Sequence, residues 1–226
     1  MEYDFVNGAL LLVDKPLHWT SFDVVAKLRK LCKVKKIGHA GTLDPLATGL
    51  LIVCTGRKTK SIQEYQELKK TYQAVITLGA TTPTHDAEFP PQNPQPYQHI
   101  TQSQVEEVIQ HYFTGDIVQT PPIYSAVKVR GKAAYELARK GKTVELQPRP
   151  IHIYRFEVLN FDLPHLSVEI ECSKGTYIRR LAHDLGQQLG TGGYLTYLRR
   201  TKIGDFDVSQ AKTIQEWIDI LTSSNL

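Results

Sequence analysis

One aspartate stands alone in a basic segment that is rich in glycine. From Lys27 to Lys60 the sequence holds nine basic residues and a single acid, Asp44, which lies in the segment GHAGTLDPLATG, residues 38–49. Glycines permit unusual backbone angles, and Pro45 disfavours the helical conformation at Asp44. The surrounding cations favour an ionised carboxylate that can act as a nucleophile or as a base. The alternative is an ordinary Asp-Pro turn whose aspartate bonds its own backbone.

A second candidate site lies in SKGTYIRR, residues 173–180, where a predicted strand passes through Gly175 into a predicted helix. Tyr177 comes directly before the first apolar helix position, with Lys174 and Arg179 close by in sequence. Unpaired amides at a helix start, together with these cations, favour an anion such as an RNA phosphate or a carboxylate. The alternative makes Tyr177 an aromatic residue at the edge of the core, with both arginines, Arg179 and Arg180, facing solvent.

Two further residues carry weaker signals. His39 lies five residues before Asp44 in the same segment, and a histidine in a loop is more often plain polar surface. Tyr72 falls on the apolar side of an alternating segment, residues 70–78, where a tyrosine is more often part of the core. Neither residue identifies a site by itself.

Sequence signals for a cofactor or a metal are missing. The chain has neither a Walker sequence nor Gly-x-Gly-x-x-Gly, and its His, Cys and Asp residues lack metal-ligand spacing. The three cysteines, Cys32, Cys54 and Cys172, are far apart, so we expect buried thiols rather than disulfides. We therefore expect side-chain chemistry with no cofactor and no metal.

Charge is distributed unevenly along the chain. The net charge is only +4, yet residues 71–127 hold five acids and no Lys or Arg, whereas basic residues return in residues 128–149 and 199–202. A segregated basic face favours a polyanion, most simply nucleic acid. The alternative is a set of solvated helix faces.

The elements that must position these residues alternate between helices and strands. Thr20 or Ser21 is expected to cap a helix whose apolar positions are Phe22, Val25, Leu28 and Leu31. Further helices are predicted at residues 101–113, 133–140, 178–189 and 214–221, and strands at residues 8–13, 50–54, 70–78, 151–161, 166–173 and 194–203. Neighbouring strands of hairpin type favour an α+β fold with a mixed, mainly antiparallel sheet.

Length and composition are those of a folded globular chain. With 226 residues and 41% hydrophobic residues, we expect one domain covering residues 1–226. No apolar run approaches the roughly 20 residues that cross a bilayer, and the amino terminus does not resemble a secretion signal. We expect a soluble, cytoplasmic protein that does not bind a membrane.

The motifs, taken together, resemble a known family. The segment HAGTLDPLATG (39–49), with DKP (14–16) before it and KKTYQA (69–74), SKGTYIR (173–179) and YLRR (197–200) after it, closely resembles the bacterial TruB family of tRNA pseudouridine synthases. The motifs follow the family's order and span residues 8–203. The aspartate segment is specific by itself.

The resemblance implies roles for six residues. Asp44 matches the catalytic aspartate of the family. Tyr72 matches the aromatic that stacks on the target base, Tyr177 the tyrosine beside that base that helps to remove the C5 proton, Arg179 the partner of the catalytic carboxylate, Leu198 the apolar wall of the pocket, and His39 the residue that fills the space of the extruded base.

The resemblance also implies a substrate and an architecture. The substrate is uridine 55 in the TΨC loop of tRNA, and the fold is the pseudouridine synthase fold with a central cleft, in which residues 121–150 resemble an RNA-clasping thumb insertion. Family members usually continue into a carboxyl-terminal domain of the PUA type or a related one, which we expect to be absent here because the chain stops at Leu226. Either the sequence is truncated or the protein is a minimal enzyme. We expect a monomer that binds the T stem-loop without a guide RNA.

Two questions stay open at this point. The carboxylate can attack C1′ or take the C2′ proton to give a glycal, and the sequence does not decide between these mechanisms. The functional alternative to an RNA isomerase is a catalytically silent tRNA-binding or folding module that uses the same basic surface.

Overall fold

The computed structural model describes residues 4–129, 131–141 and 144–223. The strands are β1 (Leu10–Lys15), β2 (Ile37–His39), β3 (Ala47–Thr55), β4 (Lys70–Leu78), β5 (Gly115–Gln119), β6 (Lys128–Val129), β7 (Lys132–Ala133), β8 (Arg149–Asp162), β9 (His165–Cys172), β10 (Gly193–Ile203), β11 (Phe206–Asp207) and β12 (Lys212–Thr213). The helices are α1 (Ser21–Cys32), α2 (Ile62–Glu67), α3 (Gln102–Tyr112), α4 (Ala134–Ala138), α5 (Ile178–Gln188) and α6 (Ile214–Ser223), with 3₁₀ segments at Gly56–Ser61 and Val208–Gln210.

The chain forms two compact units. Unit 1 comprises Met1–Gln73 and Leu198–Leu226, and unit 2 comprises Ala74–Tyr197. Strands β4 and β10 contribute residues to both units.

The centre of unit 1 is strand β3. It pairs antiparallel with β1, from Leu10 opposite Cys54 to Lys15 opposite Gly49, and parallel with β10, where Leu198 lies opposite Ala47. Strand β12 adds to β1 in parallel, and β2 pairs antiparallel with β3. Because side chains alternate across a strand, β3 is covered on both faces and nearly every residue in it is buried.

Helices α1 and α6 cover one face of this sheet. A capping box fixes the start of α1, because Thr20 accepts from the Asp23 amide while the Asp23 carboxylate accepts from the Thr20 amide. The helix ends at Cys32, and the next residue, Lys33, has a left-handed φ of 52° that does not continue it. The apolar cluster under the two helices includes Leu11, Val13, Val24, Leu28, Leu51, Val53, Trp217 and Leu221.

Unit 2 is built around the long hairpin of β8 and β9. Strand β5 pairs antiparallel with β8, and β4 is the neighbour of β9. On β9 the buried residues Leu166, Val168, Ile170 and Cys172 alternate with half-buried polar ones, as their spacing predicts. Helices α3 and α5 contact each other, and α3 also contacts β8.

Most of the predicted elements are confirmed. Helices α1, α3, α5 and α6 and strands β4, β8, β9 and β10 lie within a few residues of their expected bounds, and the mixed α+β sheet is mainly antiparallel with parallel pairs at β1–β12 and β3–β10. The sequence patterns gave no sign of β2, α2, β5 or the two-residue strands. These elements are too short or too polar to produce a periodic signal.

The described residues include no helix long and apolar enough to span a membrane. Residues 81–98, which contain five prolines, hold no helix or strand among their described positions, although Thr81 and Gln92 form an isolated bridge. Within residues 121–150 the structure describes the small hairpin of β6 and β7 followed by α4, and the predicted basic positions Arg130 and Lys142 lie outside the described residues.

Candidate active site

Asp44 lies in a tethered connection between β2 and β3. Next to it, the Leu43 amide donates to Ser21 Oγ at 2.9 Å, and on the other side Pro45 O accepts from the His18 amide at 2.8 Å. Asp44 O accepts from the Ala47 amide at 3.0 Å, so the backbone does make a turn here. Its side chain is half-buried. The contacts hold the carboxylate-bearing backbone from both sides in unit 1.

Two buried cations lie at one level of the unit 1 sheet beneath this connection. Lys15 on β1 and Arg200 on β10 both lie opposite Gly49 on β3, and their side chains are 0% and 1% exposed. Lys15 Nζ donates to Pro16 O at 2.9 Å and to Trp19 O at 2.6 Å. Burial lowers the pKa of Lys15 to about 8, an effect that the carboxylate of Asp44 opposes and the charge of Arg200 reinforces.

The Arg200 guanidinium is bonded to carbonyl groups of the same region. Nε donates to Leu50 O at 2.8 Å, Nη2 to Gly41 O at 3.1 Å and Nη1 to Thr42 O at 3.5 Å. This buried residue was expected to belong to the basic surface run at residues 199–202, and that expectation is wrong for Arg200. Since neighbouring strand residues point to opposite faces, one arginine of the pair faces inward.

Three other predicted residues lie in unit 1. His39 ends β2 and is half-buried, and burial together with the charge of Arg200 lowers its pKa. Leu198 on β10 is 9% exposed and lies opposite Ala47, three residues after Asp44. Tyr72 on β4 is 8% exposed, so its ring is largely covered by protein in this structure.

Tyr177 and Arg179 lie in unit 2, at the start of α5. Strand β9 ends at Cys172, Gly175 adopts a left-handed φ of 77°, and Tyr177 is the N-cap residue of the helix. The Arg179 side chain is 5% exposed, and its guanidinium donates to Thr84 O at 3.0 Å and Tyr124 O at 2.6 Å. The Arg179 Cζ atom is 5.7 Å from the centroid of the Tyr177 ring.

Sequence patterns missed three of the residues that organise these sites. Lys15 belongs to the DKP motif but carries no sign of burial, and Arg200 is indistinguishable from its basic neighbours. Gln119, 3% exposed at the end of β5, bonds the backbone of Tyr177 although it is 58 residues away in sequence. Contacts of such long range leave no local pattern.

Six basic side chains in the two stretches that flank the Asp44 region reach the surface, whereas Lys27, Arg29 and Lys58 are half-buried. Lys30, Lys33, Lys35 and Lys36 are exposed, as are Arg57 and Lys60. In residues 128–140 the described basic side chains Lys128, Lys132, Arg139 and Lys140 are exposed too.

The three cysteines are buried free thiols, as predicted, and burial raises the pKa of Cys32 and of Cys54 to about 11.

Comparison with known families covers nearly the whole chain. The TruB family pseudouridylate synthase (N terminal domain) matches residues 29–178, and the tRNA pseudouridylate synthase B C-terminal domain matches residues 179–225. The tRNA pseudouridine synthase B of Parabacteroides distasonis is 51% identical over 96% of this chain and 95% of its own length. That of Chloroherpeton thalassium is 45% identical over 94% of this chain and 90% of its own.

Solved structures agree on the fold. A chain of the Cbf5-Nop10-Gar1 complex superposes with a TM-score of 0.76 at 27% identity, covering 98% of this chain and 57% of that one. A chain of an H/ACA RNP bound to a substrate RNA containing 2′-deoxyuridine gives a TM-score of 0.71 at 25% identity, covering 97% of this chain and 56% of that one. The fold is the predicted pseudouridine synthase fold. The chain belongs to the TruB family of pseudouridylate synthases.

Proposed function

We propose that this chain is a tRNA pseudouridine synthase that isomerises uridine 55 of the TΨC loop, with Asp44 as its catalytic residue. The observation that carries the proposal is the tethered Asp44 connection, in a chain whose relatives are named tRNA pseudouridine synthase B, one of them 51% identical over 96% of its length. The reaction class is that of an intramolecular transferase, an isomerase.

The chemistry needs one well-placed carboxylate. The N1–C1′ glycosidic bond breaks, the uracil turns over, and a C5–C1′ bond forms while the C5 proton leaves and N1 gains a proton. Atoms and electrons balance without an oxidant, an energy source or a metal. Asp44 attacks C1′ or removes the C2′ proton, and either role requires the ionised form of a carboxylate at a fixed position.

The other predicted residues surround the base in this proposal. Tyr72 stacks on the flipped uracil, Leu198 forms an apolar wall, and His39 fills the space that the base leaves in the RNA. Tyr177 lies beside the base and helps to remove the C5 proton, and Arg179 pairs with the Asp44 carboxylate. The burial of Tyr72 and Leu198 supports an apolar site that excludes water from the reacting base.

The RNA partner is the T stem-loop of tRNA, bound by one copy of the chain in the cytoplasm without a guide RNA. Exposed lysines at residues 30–36 and 128–140 support binding of the phosphate backbone. Residues 121–150 act as the thumb of a single catalytic domain and hold the RNA.

Mapping of pseudouridine in tRNA incubated with the purified protein tests the function. The wild type is expected to convert uridine 55, whereas Asp44→Asn should lose turnover and keep tRNA affinity within about threefold, because the amide keeps the size of the side chain but cannot act as a base or nucleophile. Asp205→Asn, at an exposed acid of unit 1, is the matched control and should react like the wild type.

The outcomes separate this proposal from the alternative. A wild-type protein that binds tRNA and forms no pseudouridine would be the catalytically silent tRNA-binding or folding module. Near-normal turnover by Asp44→Asn would remove Asp44 from its proposed role and leave the function itself standing.

A further inference from the structure

Arg200 is among the most deeply buried side chains of the protein, at 1% exposure. No carboxylate among the described residues forms an ion pair with it, and its guanidinium donates to three backbone carbonyls instead. Burying a charged group is costly unless it is hydrogen-bonded, and the three carbonyls accept from the Arg200 donors. An apolar side chain at this position could not make these contacts with the backbone.

The three carbonyls lie at the two ends of residues 41–50, the part of the chain that carries Asp44. Gly41 and Thr42 stand three and two residues before Asp44, and Leu50 stands six residues after it. One guanidinium thus joins the beginning and the end of the segment at 3.1 Å, 3.5 Å and 2.8 Å. The Arg200 side chain therefore bridges the two ends of residues 41–50 by hydrogen bonds.

Two glycines of residues 41–50 lie next to Arg200. Gly41 has a left-handed φ of 96°, and a Cβ atom placed there would lie 3.7 Å from Arg200 Nη1. Gly49 has a φ of 102°, and a Cβ atom there would lie 2.3 Å from Arg200 O, closer than real atoms pack. The segment and the strand that bears Arg200 are therefore in direct contact at both points.

We propose that Arg200 is the positioning residue for Asp44, holding both ends of the Asp44 segment so that the carboxylate stays at one place and in one orientation. The inference rests on the proposed function of Asp44. Only a guanidinium offers donors in several fixed in-plane directions, whereas a lysine ammonium is a compact point charge on a flexible stem. Arg200→Lys thus keeps the charge and removes the bridge of hydrogen bonds between the two ends of residues 41–50.

Single-turnover kinetics on tRNA with Arg200→Lys test the proposal. The rate at saturating enzyme should fall about 10- to 100-fold, since a displacement of about 1 Å can cost that much, while the tRNA dissociation constant changes less than about threefold. Arg155→Lys, at an arginine of β8 that is ion-paired with Glu157 and Glu169, is the control and should keep the wild-type rate.

Amide hydrogen exchange provides a readout that does not depend on activity. The Leu43 amide bonded to Ser21 Oγ and the Ala47 amide bonded to Asp44 O should exchange faster in Arg200→Lys, whereas amides of the β8–β9 hairpin keep their protection. Faster exchange throughout the chain, with a rate loss equal to the unfolded fraction, would make Arg200 a general stability residue and overturn the proposal.

The remaining outcomes also decide. A normal rate in folded Arg200→Lys would overturn the proposal while leaving the proposed function intact, since that function depends on the wild type. Arg200→Gln, which keeps amide donors without charge, is the second variant. If neither variant folds, Arg200 serves folding and its positioning role is rejected.

Discussion

Gln119 and Tyr177 are joined by two hydrogen bonds between one side chain and one backbone residue. Gln119 Oε1 accepts from the Tyr177 amide at 2.8 Å, and Gln119 Nε2 donates to Tyr177 O at 3.1 Å. Tyr177 is the N-cap residue of α5 and its side chain makes no cap hydrogen bond. The side-chain amide of Gln119 therefore fixes the backbone at the start of the helix. The end of β5 thereby determines where Tyr177 stands.

Replacing Gln119 with glutamate tests this contact. The carboxylate still accepts from the Tyr177 amide, but its second oxygen meets Tyr177 O with no proton between them, so we expect a loss of about 1 to 3 kcal/mol in the free energy of unfolding. Turnover should fall as well. Gln104→Glu is the control, because a capping box at α3 accepts either residue. Equal unfolding midpoints for the two variants in urea would contradict the prediction.

Asp14 on β1 and Arg199 on β10 form a partly shielded ion pair in unit 1. Arg199 donates from both Nη atoms to the two carboxylate oxygens, at 3.0 Å and 2.7 Å, and the side chains are 28% and 23% exposed. A double-mutant cycle with Asp14→Asn and Arg199→Gln should give a coupling of about 1 to 3 kcal/mol, between the values for exposed and buried pairs.

The exposed pair of Arg139 and Glu88 supplies the matched control cycle. Its side chains are 64% and 44% exposed, and the single contact is 3.3 Å long. Its coupling should stay below about 1 kcal/mol and vanish at high salt. If the two cycles return the same coupling, shielding of the Asp14–Arg199 pair contributes nothing.

His85 and His183 stack with ring centroids 4.0 Å apart and an angle of 11° between the rings. Burial, the facing imidazole of His183 and the charges of Arg180 and Arg179 lower the pKa of His85 to about 3, and burial also lowers that of His183. Below the usual histidine pKa of about 6.5 the unfolded chain therefore binds protons that the folded chain does not.

The stack should make the protein acid-sensitive. As the pH falls below about 6.5, each such histidine lowers the free energy of unfolding by up to about 1.4 kcal/mol per pH unit, and above that pH it has no effect. His85→Asn, which suits the left-handed φ of 64°, should flatten urea-unfolding free energies measured from about pH 7.5 to 4.5. His99→Asn, at an exposed site, reports the effect of removing an imidazole elsewhere. Parallel curves for His85→Asn and the wild type would refute the assignment.

Local sequence patterns predicted the elements and the Asp44 segment, because these depend on nearest neighbours along the chain. The sequence predicts Thr20 or Ser21 as the cap of α1, and the structure shows that Thr20 is the N-cap residue, with a capping box. The alternation of β9 and the Gly175 turn before α5 were also visible. The roles of Arg200, Lys15 and Gln119 were not, because each depends on partners brought close only by the sheet register or by contacts between distant segments. For Tyr72, the alternating pattern predicted its face of β4 but not how completely its ring is covered.

Substitution of Tyr72 tests whether its ring stacks on the target base, and the choice of variant depends on its burial. At 8% exposure, substitution by alanine would also open a cavity, so Tyr72→Leu and Tyr72→Phe are the informative pair. Leucine keeps apolar volume but removes the aromatic face, which is worth about 1 to 3 kcal/mol per stacked base, whereas phenylalanine keeps it. We expect Tyr72→Leu to lose turnover and Tyr72→Phe to retain most of it. Equal rates for both folded variants would leave Tyr72 as a core residue only.

A hairpin that contains only the T stem and loop should be a substrate whose affinity falls steeply with salt. The exposed lysines at residues 30–36 lie in the same unit as Asp44. We therefore expect them to bind phosphates of the RNA near the target base. Each phosphate neutralised on a single strand contributes about −0.7 to the slope of log affinity against log salt. The double variant Lys33→Gln and Lys35→Gln should therefore make the slope shallower by about one unit or more and weaken binding of all RNA sequences alike. Lys212→Gln, outside the basic stretches, should leave the slope unchanged.

Replacing the target uridine should end the reaction and keep most of the salt-dependent binding, because phosphate contacts position the RNA and contacts to the flipped base specify it. An inert hairpin beside a reactive full-length tRNA would place recognition outside the T arm, and an affinity that is flat in salt would show that these lysines are only solvated surface.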